Sequence, residues 1–216
     1  MDILFETKSK AIELLVGGKV TEAYQMIAEY MITAPRSRRI GIDWVEETKK
    51  KAPQRIYDLM LLDYSDLDVS KEIRSHIAAE IALSLITGEG WRKTAKRLIV
   101  ITGEPFPCPD LAKYAEVNYA EIPLAYIQTK ACQATAIANI KTYKAQRNII
   151  KGIQLSPCNS ACEFCFKGAG KYTWDEIDQM PTLPRHWGCR CIYIPWTKSW
   201  EELGINPNTI RRKVEF

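Results

Sequence analysis

Apolar residues recur along the first two thirds of the chain at the spacing of helical stripes. Ala23, Met26, Ile27 and Tyr30 stand at i, i+3, i+4 and i+7, which puts all four on one face of a helix. An earlier stripe of Ile12, Leu15 and Val16 is separated from it by Gly17 and Gly18, so the two predict a helical hairpin. No second copy of this pair follows, and a repeat architecture is not expected. Pro35 to Asp43 reads as a basic connector carrying Arg36, Arg38 and Arg39. A helix bearing Ile56, Leu59 and Met60 follows Pro53, whose missing N–H costs nothing in a first turn. The next bears Ile73, Ile77, Ile81 and Leu85 behind a cap at Asp68 or Ser70.

Thr87 to Gly90 interrupts the pattern. A helix then resumes with Trp91, Ala95, Leu98 and Ile99 inward and Arg92, Lys93, Lys96 and Arg97 mostly outward. Three prolines between Gly103 and Pro109 remove backbone donors, so that stretch is a loop or extended linker. A long helix is expected from about Ala120 to Ile150, with a stripe of Ile127, Ala131, Ala134, Ala138, Ala145 and Ile149. So many small side chains let a neighbouring backbone come close, which suits the centre of a bundle.

After Gly152 the period changes to two: Ile153 and Leu155, then Ile192 and Ile194, predict short strands. Ser199 and Glu202 have capping-box spacing for a last short helix that Gly204 and Pro207 end. The expected fold is α+β and mostly α. Residues 1–104 form a helical region, 105–150 a linker and central helix, 151–197 a metal-stapled β-hairpin module, and 198–216 a tail ending on Arg211, Arg212 and Lys213.

Composition changes this picture little. The hydrophobic fraction of 46% and charged fraction of 26% are ordinary for a globular chain that can build a core. A net charge of +4 permits an acidic partner without requiring one. No stretch approaches the roughly 20 apolar residues of a membrane span, because Glu80 interrupts the most apolar run, Ile77 to Ile86. The first residues, Met1 to Glu6, lack the basic start of a secretory signal. The chain is therefore expected where thiols stay reduced, and its seven cysteines read as ligands or core residues before disulfides.

Candidate chemistry concentrates in one region. Cys158, Cys162 and Cys165 are followed, after a spacer, by His186, Cys189 and Cys191. Two thiolates three residues apart grip an ion from one turn, and a second pair from a distant turn completes a tetrahedron. The candidate ligands are Cys162, Cys165, His186, Cys189 and Cys191, with the first two expected to act beside two of the last three. Cys158 is placed at the end of the first strand. Thiolate and imidazole suit zinc, with an iron–sulfur cluster as the rival. Phe166 to Arg185 holds too few apolar residues to fold by burial, so the metal would supply folding energy.

A His186–Cys189 nucleophile pair lacks an orienting acid, and Glu163 is poorly placed as a hydrolytic base, so no enzyme is expected. His76 reads as a structural histidine, Cys108 and Cys132 as bystanders, and the tryptophans as core and anchoring residues. The basic groups, at Arg36 to Arg39, Lys49 to Lys51, Arg92 to Arg97 and Arg211 to Lys213, read as solvated faces. Glu46, Glu47, Glu89 and Glu201 dilute them.

The stretch from Ile127 to Asn139, continuing through Tyr143 to Ala145 and Ile150 to Leu155, resembles the long helix and first strand of the phage Mu F-like minor head proteins. In that family, also called phage head morphogenesis proteins, these lead into a paired-cysteine turn, a short glycine-containing hairpin and a closing histidine–cysteine motif. Here the corresponding residues are Cys162 to Cys165, Gly168 to Gly170, and Leu183 to Cys191; Gly88 to Leu98 resembles the family's preceding helix. Trp187 stands where the motif has proline, and Gln128-Thr129-Lys130 where Arg-Thr-Glu is common. The likeness spans about Ile73 to Pro195. It implies a virion component, assembled in the host cytoplasm, that meets portal and capsid proteins, with DNA as a further partner, during head assembly or genome packaging and delivery. A zinc-dependent nucleic-acid-binding module is the alternative.

Overall fold

The computed structural model describes residues 3–33, 58–87, 89–112, 121–159 and 161–205. The first elements are helices α1 (Ile3–Val16) and α2 (Val20–Thr33). Gly18, at φ +76°, turns the chain between them as the hairpin requires. Ala11 and Leu15 carry the buried face of α1 and Ala23 that of α2. Val16 does not join the stripe. It lies about 100° round the helix from Leu15 and is 44% exposed. The connector at Pro35 to Asp43, Pro53, Ile56, Lys49 to Lys51 and the basic end lie outside the described residues, as do the side chains of Ile27, Tyr30 and Leu85. Of the helix expected after Pro53, residues 58–60 are described as helical, with Leu59 fully buried.

Helix α3 (Lys71–Thr87) starts where the cap was expected, with the Ile73 N–H donating to Ser70 Oγ at 3.4 Å. Every residue from Ile77 to Ser84 is buried, so α3 is enclosed on all sides rather than along one stripe. That enclosure changes the role of α4 (Trp91–Thr102). Arg97 was expected to face solvent, but Glu80 sits buried on α3 and needs a counter-charge. Arg97 supplies it, with Nε 2.9 Å from Glu80 Oε2 and Nη2 2.6 Å from Glu89 Oε2. Lys8 of α1 closes on the same Glu89 oxygen at 3.0 Å, so one ionic network ties α1, α3, α4 and the intervening turn.

The proline-rich stretch leads into a short helix α5 (Pro109–Ala112) and presses Phe106 and Cys108 into the core. Helix α6 (Ile122–Lys144) follows, with Pro123 in its first turn. Ile127, Ala131, Ala134 and Ala138 are buried as expected. The helix stops short of Ile150: residues 145–149 are turns, Ala145 is exposed and Ile149 is 45% exposed. The physical reason is the sheet. The chain must reverse here so that β1 can run back along α6, and the freed Ile149 carbonyl accepts the Lys198 N–H at 2.9 Å.

Strands β1 (Ile150–Ser156), β2 (Gly170–Thr173) and β3 (Ile192–Thr197) form an antiparallel sheet in the order β2-β1-β3, with a short helix α7 (Glu163–Lys167) between the first two. The fold is α+β and mostly α, as expected, but the module is a three-stranded sheet rather than a hairpin. Strand β2 is too short to show a period in the sequence. Pairing of Leu155 with Tyr193 fixes the inner face of β3. Tyr193 is therefore buried, while Ile192 is 48% exposed on the opposite side. Gly152 is required in β1, because a Cβ there would collide with the Tyr172 carbonyl.

Two cores result. The helical one gathers residues from α1, α3, α4 and the first turns of α6; the second lies between α6 and the sheet. The capping box at Ser199 forms, with Glu202 Oε2 2.6 Å from the Ser199 N–H, but it closes only a turn before Gly204 at φ +71°.

Arg97→Met is expected to destabilise the fold by about 1–3 kcal/mol, since it strands a buried carboxylate while Arg97 itself is partly solvated. Urea unfolding measures this. The Arg97 guanidinium, with Lys8, holds the Glu89 carboxyl down to about 2 from an ordinary 4.5. A depressed folded-state pKa contributes stability above the unfolded value and loses it as pH falls towards the folded one. The mutant should therefore lose less stability than wild type between pH 4.5 and about 2.

Candidate metal centre

The first cysteine turn follows β1. Cys162 occupies the N-cap of α7 in an extended conformation, and its carbonyl accepts the N–H groups of Cys165 and Phe166. The amide of Cys165 is the leading cause, with that of Phe164, that the Cys162 thiol lies below its ordinary pKa. One helical turn on, Cys165 is fully buried, and its thiol is pushed up by that burial. The two-residue spacing thus yields one exposed and one buried sulfur from a single turn.

The second turn is held by α6. Gly188, at φ +71°, reverses the chain, and its N–H donates to Thr129 Oγ1 at 2.8 Å. Trp187 stacks on Tyr126 of α6 with ring centroids 5.9 Å apart. Beyond the turn the chain is extended, so Cys189 and Cys191 project to the same side as Tyr193 and are buried with it. Arg185 braces the two turns together. Its guanidinium lies 4.0 Å from the Phe164 ring centroid and donates to the Phe164 carbonyl at 2.5 Å. Gly168 leaves the room it needs, because a Cβ there would meet the Arg185 guanidinium.

All five candidate ligands come together at these turns. The donor atoms of Cys162, Cys165 and His186 lie within 4.8 Å of one another, and so do those of Cys165, Cys189 and Cys191. His186 Nε2 is 3.2 Å from Cys165 Sγ, while Nδ1 is 2.7 Å from the Trp187 carbonyl. With Nδ1 assigned as the donor to that carbonyl, the Nε2 lone pair faces the sulfurs, the orientation a ligating imidazole needs. The imidazole meets Cys165 rather than Cys189, so the nucleophile–base pair weighed above is not assembled. Glu163 is likewise turned away, pairing with Lys167 at 2.9 Å in solvent. A tetrahedral ion with metal–sulfur bonds of about 2.3 Å needs sulfur–sulfur edges of roughly 3.8 Å. Small rotamer shifts bring either group to that size, so the cluster can hold a metal ion.

Cys132 is no bystander. Its S–H donates to the Cys191 carbonyl, with Sγ 3.4 Å from that oxygen. Its nearness to Cys189 is the first cause holding the Cys189 thiol down to about 4, assisted by backbone N–H groups, and it pushes Cys132 far up. A second stripe on α6 carried the signal: Cys132, Ala136, Ile140 and Tyr143 all face the second core at helical spacing. Cys108, by contrast, stays in the helical core, raised by burial. Cys158 follows the end of β1 and offers its backbone to Cys191.

Replacing Cys162 and Cys165 together with Ser is expected to abolish bound metal and to open the C-terminal third to protease, while the helical circular dichroism signal largely persists. Cys108→Ser should leave metal content unchanged. Metal analysis and limited proteolysis check both, and unaltered protease resistance of the double mutant would contradict the metal's structural role.

No protein-family model, curated protein or solved structure matches this chain.

Proposed function

We propose that this chain is a minor head protein of a tailed bacteriophage or prophage. It acts beside the portal in head assembly or in packaging and delivery of the genome, with zinc clamping its C-terminal module to the helical body. The observation that carries this reading is the contiguity of the residues that resemble the family. The long helix, the first strand, the paired-cysteine turn and the closing histidine–cysteine motif pack as one unit around α6.

Zinc is the preferred ion because it accepts thiolate and imidazole in one tetrahedron, and because such closed sites serve structure rather than catalysis. The role assigned is accordingly architectural, within the virion. The charges of the described residues fit a protein partner better than a nucleic acid. Lys8, Arg97, Lys130 and Lys141 are each paired with an acidic side chain, which takes their charge away from any nucleic-acid surface.

One surface favours the nucleic-acid alternative. On the outer face of the sheet, Lys151 and Lys171 lie 4.6 Å and 5.3 Å from the Trp196 ring centroid, a pairing of cation and aromatic that also suits a base and its phosphate. Co-sedimentation with portal rings separates the two. Under the head-protein reading the chain travels with the portal at any salt concentration and duplex DNA does not compete. Binding to DNA that weakens steeply with salt, without portal association, would replace it by the alternative.

A further inference from the structure

The basic residues of α4 divide into two sets. Arg97, on the flank that faces α3, is held by Glu80 and Glu89. Arg92, Lys93 and Lys96 lie on the outward arc, are exposed, and pair with no carboxylate among the described residues. Cations in a first turn oppose the helix dipole, so Arg92 and Lys93 cost the helix stability rather than adding to it. The stripe that runs from Arg92 through Lys96 continues to Val100, an apolar side chain left 86% exposed.

Beside this arc an open cavity of about 290 Å³ lies between Trp91 of α4, the middle of α6 and the chain from Leu183 to Tyr193. Its walls are mainly aliphatic, with Ala131 on α6 and Leu183 and the half-exposed Ile192 opposite. Thr135 and Arg190 add polar edges. No aspartate or glutamate occurs in α4, in α6 or anywhere from residue 179 to residue 200. No carboxylate therefore lines the cavity, and the cations beside it have no acidic neighbour on their own helix.

We propose that this face docks an acidic segment of a partner protein, which seats one apolar side chain in the cavity and lays its carboxylates along Arg92, Lys93 and Lys96. The volume stands at the low end for ligand pockets, with room for one anchoring side chain rather than a cofactor. Aliphatic walls suit such an anchor, whereas a nucleic acid asks for open aromatic rings on which its bases stack. The charged arc steers the approach and sets the register, and burial of the anchor supplies affinity. The docking surface does not depend on the head-protein reading, because the chemistry of the groove selects the partner.

A random peptide library selected against the full chain, expressed with zinc, tests this, with fluorescence anisotropy to measure the enriched peptides. They should carry a leucine or an aromatic residue with aspartate or glutamate on either side. Arg92→Glu with Lys96→Glu should weaken them about tenfold or more, as should Thr135→Phe, which fills the cavity from α6. Serine in place of the peptide's apolar residue should do the same without altering the chain. Thr135→Val keeps the volume and should bind as wild type does; circular dichroism checks that each variant is folded. Enriched peptides without acidic residues, or with equal affinity for wild type and the charge-reversed chain, overturn the proposal. So does a selection that enriches nothing. A single-stranded oligonucleotide that outcompetes every selected peptide, and whose binding is lost on charge reversal but not with Thr135→Phe, would assign the arc to nucleic acid instead.

Discussion

Helix α6 has to serve two cores at once, and the rest of the molecule is arranged around that demand. One stripe of its surface, through Tyr126, Ile127 and Ala134, closes the helical core. Another, through Cys132, Ala136, Ile140 and Tyr143, closes the core under the sheet. A helix apolar on two faces leaves little room for charge. Apart from Lys141 and Lys144 in its last turn, it carries Lys130, which is almost fully buried and is neutralised by Asp66 at 2.9 Å while lying over the rings of Tyr64 and Tyr126. The small residues along α6 make this possible, since they let strands and helices approach its backbone from both sides.

The two cores differ in how they are held. The helical one is built from leucine, isoleucine and aromatic side chains and gains from burial in the ordinary way. Three of the nine fully buried members of the other are cysteines, and much of the chain between the cysteine turns is irregular. Apolar burial there is small against the ordering of that chain, whereas binding of a structural zinc ion is worth on the order of 10 kcal/mol or more. A metal ion at the cysteine turns would supply what apolar burial does not. The braces around them, Arg185 on Phe164 and Gly188 on Thr129, hold the two turns close to one another.

Trp187 shows how the two halves are joined. It stands inside the closing motif, one residue from His186, yet its ring stacks on Tyr126 in the helical core. The cysteine turns therefore meet the helical body through a packed aromatic pair as well as through α6.

The sequence by itself determined the main helices, strands β1 and β3 and the five ligand candidates. Helical and strand periods are local properties, and the spacing of cysteines within a turn limits where their sulfurs can go. It did not determine which way β3 faces, because Ile192 and Tyr193 both suit a strand and only pairing with Leu155 decides between them. Nor did it place Cys132 against the second cysteine turn or Arg97 beside the buried Glu80. Both positions depend on where a neighbouring element lies, and a single chain's periodicity holds no record of its neighbours. Tertiary packing decided those, because burial of one charged or thiol group is settled by the element opposite it.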